Sequence, residues 1–407
     1  MKARHMVLAL LATAFSLTSN GQLAMNEEYQ DGYDHSLQNY ITEKISQLKD
    51  KQEEKAKEGK KKWKIADYVT VPKFGGYIVS TYKYNSQEGK NGGDGFGLRY
   101  LRLYLDGTVF KDFKYRVQMN VSGEPGTTSS ARVIDAFVSW QKWAPLGIKM
   151  GEFKRCFTFE NPMNPWDIAS GDYTQLTKNF AGMSGDFYKG GTNSGGRDLG
   201  IQVYGDAFKV GKTKHYLLHY QAGIYNGQGI NTSDKDAEKD YIATVQFQPI
   251  KGLYLGVFGW SGSYAFANAQ KQICSNYFKR WAAGVSYEGL FSARAEYARN
   301  IFTNSTILSE YTEFASLTGL GQQSDAWYVR VGIPTWRWLR VNLGYDAYRS
   351  DMSTWTSLNS IYTLGLQARP HKNLQFQLQW NYVHDNDDAL TIDKDYHQLW
   401  AQAYIRF

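Results

Sequence analysis

The sequence predicts an all-β protein: a 16-stranded antiparallel transmembrane β-barrel preceded by a short N-terminal periplasmic helix. Three observations predict it. Apolar and polar residues alternate over most of the chain, aromatic residues make up 15% of it, and the links between alternating stretches are short at one end and long at the other. Alternation marks a strand with one face in an apolar medium and the other in water. With 42% hydrophobic residues and a mean hydropathy of −0.51, the chain is too polar for a bundle of membrane helices. Beyond residue 25 no stretch holds the roughly 18 consecutive apolar residues that such a helix needs. The 30 Tyr, 21 Phe, 12 Trp and 39 Gly, against 8 Pro and 2 Cys, also argue against disorder and against a disulfide scaffold.

The N-terminus reads as an export signal over residues 1–21. Lys2 and Arg4 precede an apolar run at 6–17, and Ser19-Asn20-Gly21-Gln22 supplies small residues at a cleavage point. No Cys follows the run, so a lipoprotein is not expected. Residues 22–72 form an expected periplasmic extension. Within it, Leu37, Tyr40, Ile41, Ile45 and Leu48 recur at helical spacing, giving an amphipathic helix over 36–62 that ends in a charged run. The seam is too short for an isolated coiled coil. It reads either as an oligomer contact or as a solvated linker.

From residue 73 to 407 the period is two. Leu374-Gln375-Phe376-Gln377-Leu378-Gln379-Trp380 alternates without a break, as do Leu101-Arg102-Leu103-Tyr104-Leu105-Asp106 and Tyr115-Arg116-Val117-Gln118-Met119-Asn120. Sixteen strands are expected, starting near 74, 98, 113, 131, 146, 198, 215, 239, 253, 278, 291, 325, 338, 361, 374 and 398. Links after even strands are short, and Pro145, Pro249, Pro334 and Pro370 fall in them, where a missing N–H costs no ladder bond. Links after odd strands are long, the longest spanning 154–197. Short turns on one side, long loops on the other and an even strand count describe a barrel of the Gram-negative outer membrane. In lipid every backbone group needs an internal partner, so the sheet must close. The aromatic surplus then has a place in girdles at the two interfaces, and outer-membrane lipid and lipopolysaccharide become the expected surroundings. The alternating end of the chain, Leu399 to Phe407, resembles the signal by which such barrels are recognised for assembly.

A barrel of this size holds water, so function rests on inward residues. Alternation turns Arg102, Lys114, Arg116, Lys149, Arg294, Arg330 and Arg340 inward. Arg280, Arg369 and Arg406 share that parity, against Asp106, Asp135, Asp206, Glu288, Glu296 and Asp346. Excess cations in a narrow pore attract anions, and guanidinium matches phosphate oxygens in a bidentate fork. The opposing reading is that these charges pair with one another and keep the interior wet. Lys154 and Arg155 join the channel lining if the 154–197 loop folds inward; its aromatic, turn-rich stretch at 157–166 is compatible with an inward plug.

Other chemistry finds little support. The acidic clusters Asp234, Asp236, Glu238 and Asp385, Asp387, Asp388 lack calcium-loop spacing. No metal site, cofactor or catalytic constellation is expected, and no enzyme activity. His215 and His219 read as interfacial. Cys156 and Cys274 read as free residues or as one disulfide. Lys and Arg number 46 against 39 Asp and Glu, an excess too small to argue for nucleic acid.

Several segments together resemble the phosphate-selective porin O and P family. Tyr100-Leu101-Arg102-Leu103-Tyr104-Leu105-Asp106-Gly107 is similar to its early Arg-rich strand, and Ile134-Asp135-Ala136-Phe137-Val138 to its Asp-Ala-aromatic strand. Lys149-Met150-Gly151-Glu152-Phe153-Lys154 with Glu160 resembles the segment leading into its long third loop. Arg197-Asp198-Leu199-Gly200-Ile201 and Tyr225-Asn226-Gly227-Gln228-Gly229 resemble later pieces. The resemblance implies a homotrimeric sixteen-stranded porin for inorganic anions such as phosphate. Against this passive channel stands a structural or partner-binding barrel subunit of an envelope complex, docking other proteins through its loops and its 36–62 helix.

Overall fold

The computed structural model describes residues 69–88, 94–122, 131–168, 171–186, 189, 194–267, 272–302, 323–386 and 393–407. The expected signal peptide at 1–21 and helix at 36–62 lie outside the described residues.

The strands follow the alternation. They are β1 (Lys73–Asn85), β2 (Gly95–Val109), β3 (Phe113–Asn120), β4 (Arg132–Trp143), β5 (Leu146–Lys154), β6 (Arg197–Val210), β7 (His215–Tyr225) and β8 (Asp240–Ile250). The second half holds β9 (Leu253–Ala267), β10 (Ile273–Glu288), β11 (Ser292–Phe302), β12 (Gln323–Trp336), β13 (Leu339–Arg349), β14 (Leu358–His371), β15 (Leu374–Asp385) and β16 (Asp395–Arg406). Each pairs antiparallel with its chain neighbours, and β1 pairs with β16, so the sheet is a closed barrel without an edge. At the seam Gly76 and Phe407 exchange both backbone hydrogen bonds, at 3.0 and 3.1 Å.

The wall is apolar outside and polar inside. On β15, Phe376, Leu378 and Trp380 are 46%, 47% and 42% exposed, while Gln375, Gln377, Gln379 and Asn381 between them are buried. A water-soluble core reverses this order. Lipid is the solvent that makes the arrangement stable.

The expected strand starts fall close to the observed ones. The largest difference is β10, which begins at Ile273 and pairs with β9 from Ile273↔Ala267 onward. Cys274-Ser275-Asn276 carries no apolar alternation, so only pairing reveals this extension. Pro249, Pro334 and Pro370 stand inside the last residues of β8, β12 and β14 rather than in turns. The ladders shift register there, between Phe247 and Ile250, Pro334 and Trp336, and Ala368 and His371, so a missing N–H is still tolerated. The sulfurs of Cys156 and Cys274 are not joined in a disulfide.

Gly151, in the segment entering the long loop, has a φ of +128°. A Cβ there would stand 2.2 Å from the Ala136 carbonyl oxygen on β4. Gly151→Ala is expected to destabilise the β4–β5 pair by about 1–2 kcal/mol from backbone conformation alone, with the overlap added. A lowered thermal unfolding midpoint in detergent would show it.

The described residues of the long link between β5 and β6 fold into the barrel and supply its core. The link carries a 3-10 turn at Pro165–Asp167, capped by Asn164 accepting from the Trp166 amide at 3.0 Å. A short helix α1 (Gln175–Phe180) follows, capped by Thr174 accepting from the Thr177 amide at 3.2 Å. Phe157, Leu176 and Phe180 pack on Tyr225, Ile242, Phe258, Trp260, Phe278 and Tyr328, filling the lumen beside β7–β12. On the other side Trp166 packs with Tyr77 and Tyr404.

Candidate functional site

The inward loop makes the site, because it narrows the bore and is tied to the wall around its circumference. Three buried ion pairs hold one flank. Arg155 donates to Asp198 of β6 at 2.7 Å. Lys189 donates to Asp240 of β8 at 2.5 Å and to the Gly227 and Ser263 carbonyls at 2.7 and 2.6 Å. Arg280 of β10 forks onto Asp186 at 2.6 and 2.7 Å and donates to the Phe180 carbonyl at 2.7 Å. Across the bore, the Gly171 amide donates to Gln379 of β15 at 2.6 Å, and Arg369 of β14 donates to the Trp166 carbonyl at 2.7 Å. The Arg406 guanidinium lies 3.8 Å from the Trp166 ring centre. Asp172 takes Arg99 of β2 at 2.5 Å and Lys178 at 2.6 Å. Burial alone would raise this carboxyl, but Lys178 and Arg99 hold it well below the usual carboxylate range. The tie to β2 therefore stays ionised at neutral and mildly acidic pH. Its contribution is lost only as the pH falls below the unfolded value, about 4, toward the folded one.

The loop also brings acids to the wall's cations. Glu160 receives Arg330 of β12 at 2.6 Å and the Thr174 amide at 2.7 Å. The Phe159 amide donates to Glu296 at 2.8 Å, and the Gln175 amide to Asp346 at 2.8 Å.

Two cavities flank the loop tip, with Met163 lining both. One, of about 440 Å³, is bordered by Arg294, Arg330, Arg340 and Arg369 with Glu160, Asp167 and Glu288. The other, of about 210 Å³, is bordered by Arg102, Arg116, Lys149, Lys154 and Arg197, with Asp135 as the one carboxylate among the described residues. Aromatic rings support its cations. Arg102 lies 4.0 Å from the Tyr100 ring centre and donates to the Tyr77 hydroxyl at 2.8 Å. Lys149 is 5.1 Å from the ring centres of both Phe137 and Phe153.

The expected inward residues thus divide. Arg102, Arg116, Lys149 and Lys154 border the smaller cavity, and Arg294, Arg330 and Arg340 the larger. Lys114 is exposed near the β2–β3 turn, and Arg155 is buried behind the loop at 1% exposure. Several cations are matched: Arg116 by Asp106 at 2.7 Å, Arg294 by Glu288 at 3.3 Å, Arg330 by Glu160 and Arg197 by Asp135 at 3.0 Å. Lys154 donates instead to the Met163 carbonyl at 2.6 Å and the Tyr173 hydroxyl at 2.9 Å, fixing the loop tip. Sequence reasoning missed Arg99. A bulge opposite Val79 and Ser80 turns both Arg99 and Arg102 inward, and strict alternation cannot show that.

A closed sixteen-strand barrel, with a lipid-facing apolar wall, a polar interior and a loop across the bore, defines an outer-membrane porin, a channel rather than an enzyme. The chain belongs to the phosphate-selective porin O and P family, whose model matches residues 73–331. That membership places it in the outer membrane of a Gram-negative bacterium. No curated protein sequence matches it. Among solved structures, the anion-selective porin from Comamonas acidovorans is similar at 16% identity, covering 83% of this chain and 98% of that one, with a TM-score of 0.58. The trimer form of OmpT from Vibrio cholerae is 12% identical over 84% of this chain and 100% of that one, TM-score 0.56. The outer membrane channel DcaP of Acinetobacter baumannii is 13% identical over 85% and 99%, TM-score 0.55.

Proposed function

We propose that this porin passes small inorganic anions, phosphate among them, and that selection occurs in the smaller cavity beside Met163. One observation carries the reading: among the described residues, five cationic side chains and a single carboxylate border that cavity. Among the described residues, Arg102, Lys149 and Lys154 have no carboxylate within ion-pair distance, so their fields reach the water. Confined between low-dielectric walls, such a field concentrates anions and repels cations. Arg102 adds a planar fork suited to phosphate oxygens. The family's phosphate-selective name and the anion-selective Comamonas porin support this reading. The trimeric OmpT supports a homotrimeric assembly.

The test is the zero-current potential of the purified porin in a planar bilayer under a salt gradient. Its sign is expected to report anion preference, and inorganic phosphate is expected to reduce the chloride current. A cation-selective potential would overturn the reading. A folded protein that conducts nothing would favour the structural barrel.

A further inference from the structure

The outside of the wall carries a second cationic cluster. We propose that the outward face of β7–β13, toward the long-loop end, binds one phosphorylated lipid of the outer leaflet. An acyl chain would lie in a groove across β7–β9, and a headgroup phosphate would rest on Lys279, Arg299 and Arg349. This rests on the outer-membrane location and not on the ion preference of the lumen.

The geometry follows from register. On β11 the buried Glu296, Ala298 and Asn300 point inward, so Tyr297 and Arg299 point out. One row of paired residues runs around the outside: Ala222↔Ala243↔Gly259↔Trp281↔Arg299↔Asp325↔Arg349. Its first three members are small. They floor an apolar groove of about 680 Å³ bordered by Ile201, Ile224 and Tyr241, with Ser261 and Lys279 at its edge. A Cβ on Gly259 would meet nothing within 4 Å, so the groove is open. Its other end is charged. Arg349 forks onto Asp325 at 2.9 and 2.7 Å, and the Tyr297 hydroxyl donates to the same carboxylate at 3.1 Å. Arg299 is held by Gln323, and its Nε is buried without a hydrogen-bond partner. Lys279 is the next outward residue of β10 beside Trp281. Three cations therefore gather near one carboxylate: Arg349 is bonded to Asp325, Arg299 is its cross-strand partner, and Lys279 neighbours Trp281, the partner of Arg299, while Glu238 is engaged by Tyr277 further toward the loops at 2.9 Å.

Beneath the cluster the rings of Trp281 and Tyr297 stand 5.4 Å apart. Such aromatic residues mark the boundary of the hydrocarbon layer, which sets the cations at headgroup depth. Charges on a lipid-facing wall are unfavourable unless they meet a counter-charge, and on the outer leaflet that counter-charge is the phosphate of a lipid A-type glycolipid. The adjoining groove gives its acyl chain a place.

Native mass spectrometry of the detergent-solubilised porin tests this with bis-phosphorylated lipid A and its dephosphorylated form. The phosphorylated lipid is expected to bind about tenfold more tightly, and the Lys279→Gln/Arg299→Gln variant to remove that preference. Gly259→Phe, which fills open space, is expected to weaken both lipids while leaving the folded gel mobility intact. Inorganic phosphate is expected not to displace the lipid. Equal binding of the two forms, an unaffected double variant, or displacement by inorganic phosphate would overturn the proposal. Single-channel conductance of these variants should match wild type, so failure here stays separate from failure of the lumen reading.

Discussion

Replacing Arg102 and Lys149 together by Glu is expected to convert the channel from anion to cation preference. Among the described residues, the smaller cavity has five cations and one carboxylate at its border. Arg116 and Arg197 are paired with Asp106 and Asp135, which leaves Arg102, Lys149 and Lys154 as a net charge of +3, and the two reversals make it −1. At about 6 Å in water each unit charge contributes about 0.7 kcal/mol to a passing ion, so the two reversals shift its energy by about 3 kcal/mol before salt screening. Even a screened half of that is about tenfold for each ion, and about a hundredfold in the anion-to-cation ratio, because anion and cation shift in opposite directions. The single variants Arg102→Gln and Lys149→Gln should move the zero-current potential by smaller steps in the same direction. Arg116, Arg294 and Arg330 are poorer targets, because Asp106, Glu288 and Glu160 already neutralise them. Neither reversal touches the outer wall, so folded yield should hold. An unchanged potential in the double variant would show that selection lies elsewhere in the bore.

The second large effect concerns the loop. Arg280→Met removes the fork onto Asp186, both of whose side chains are fully buried, and strands a carboxylate in the apolar core beside Phe180 and Phe278. Breaking one partner of a buried pair costs about 3–5 kcal/mol. That exceeds what a short helix and its caps supply, so the 155–196 loop should detach from β10. Single-channel conductance is expected to rise and open-channel noise to increase, and protease should cut the loop. Replacing both partners, Arg280→Met with Asp186→Leu, should restore the wild-type conductance, because no unpaired charge remains. Wild-type conductance and protease resistance in Arg280→Met would show that the pair does not hold the loop.

The wall was legible in the sequence because each strand repeats one rule. Leu374 to Trp380 states which face meets lipid, and the turn lengths state which end is which. The site was only half legible. Alternation placed Arg330 on the inner face but could not show that Glu160, 170 positions earlier, would neutralise it. The loop obeys no period. Its path is fixed by single contacts such as Arg280 with Asp186 and Gly171 with Gln379, and none of these has a local signature. Arg155, beside Lys154 in sequence, is turned away from the cavity by Asp198. The bulge at Arg99 breaks the very rule that located its neighbours.

The seam between β1 and β16 also bears on how the barrel forms. It joins the strands furthest apart along the chain, and Gly76 and Phe407 complete it from both sides. Until that pair meets, each of the two strands presents a row of unpaired N–H and C=O groups, and hydrocarbon penalises every one of them. A half-built sheet is therefore excluded from the bilayer, and pairing so remote in sequence is intrinsically slow. The unclosed chain must wait in water with two sticky edges exposed, open to pairing with other chains. Closure therefore competes with aggregation during that wait, and the seam between β1 and β16 is where that competition ends.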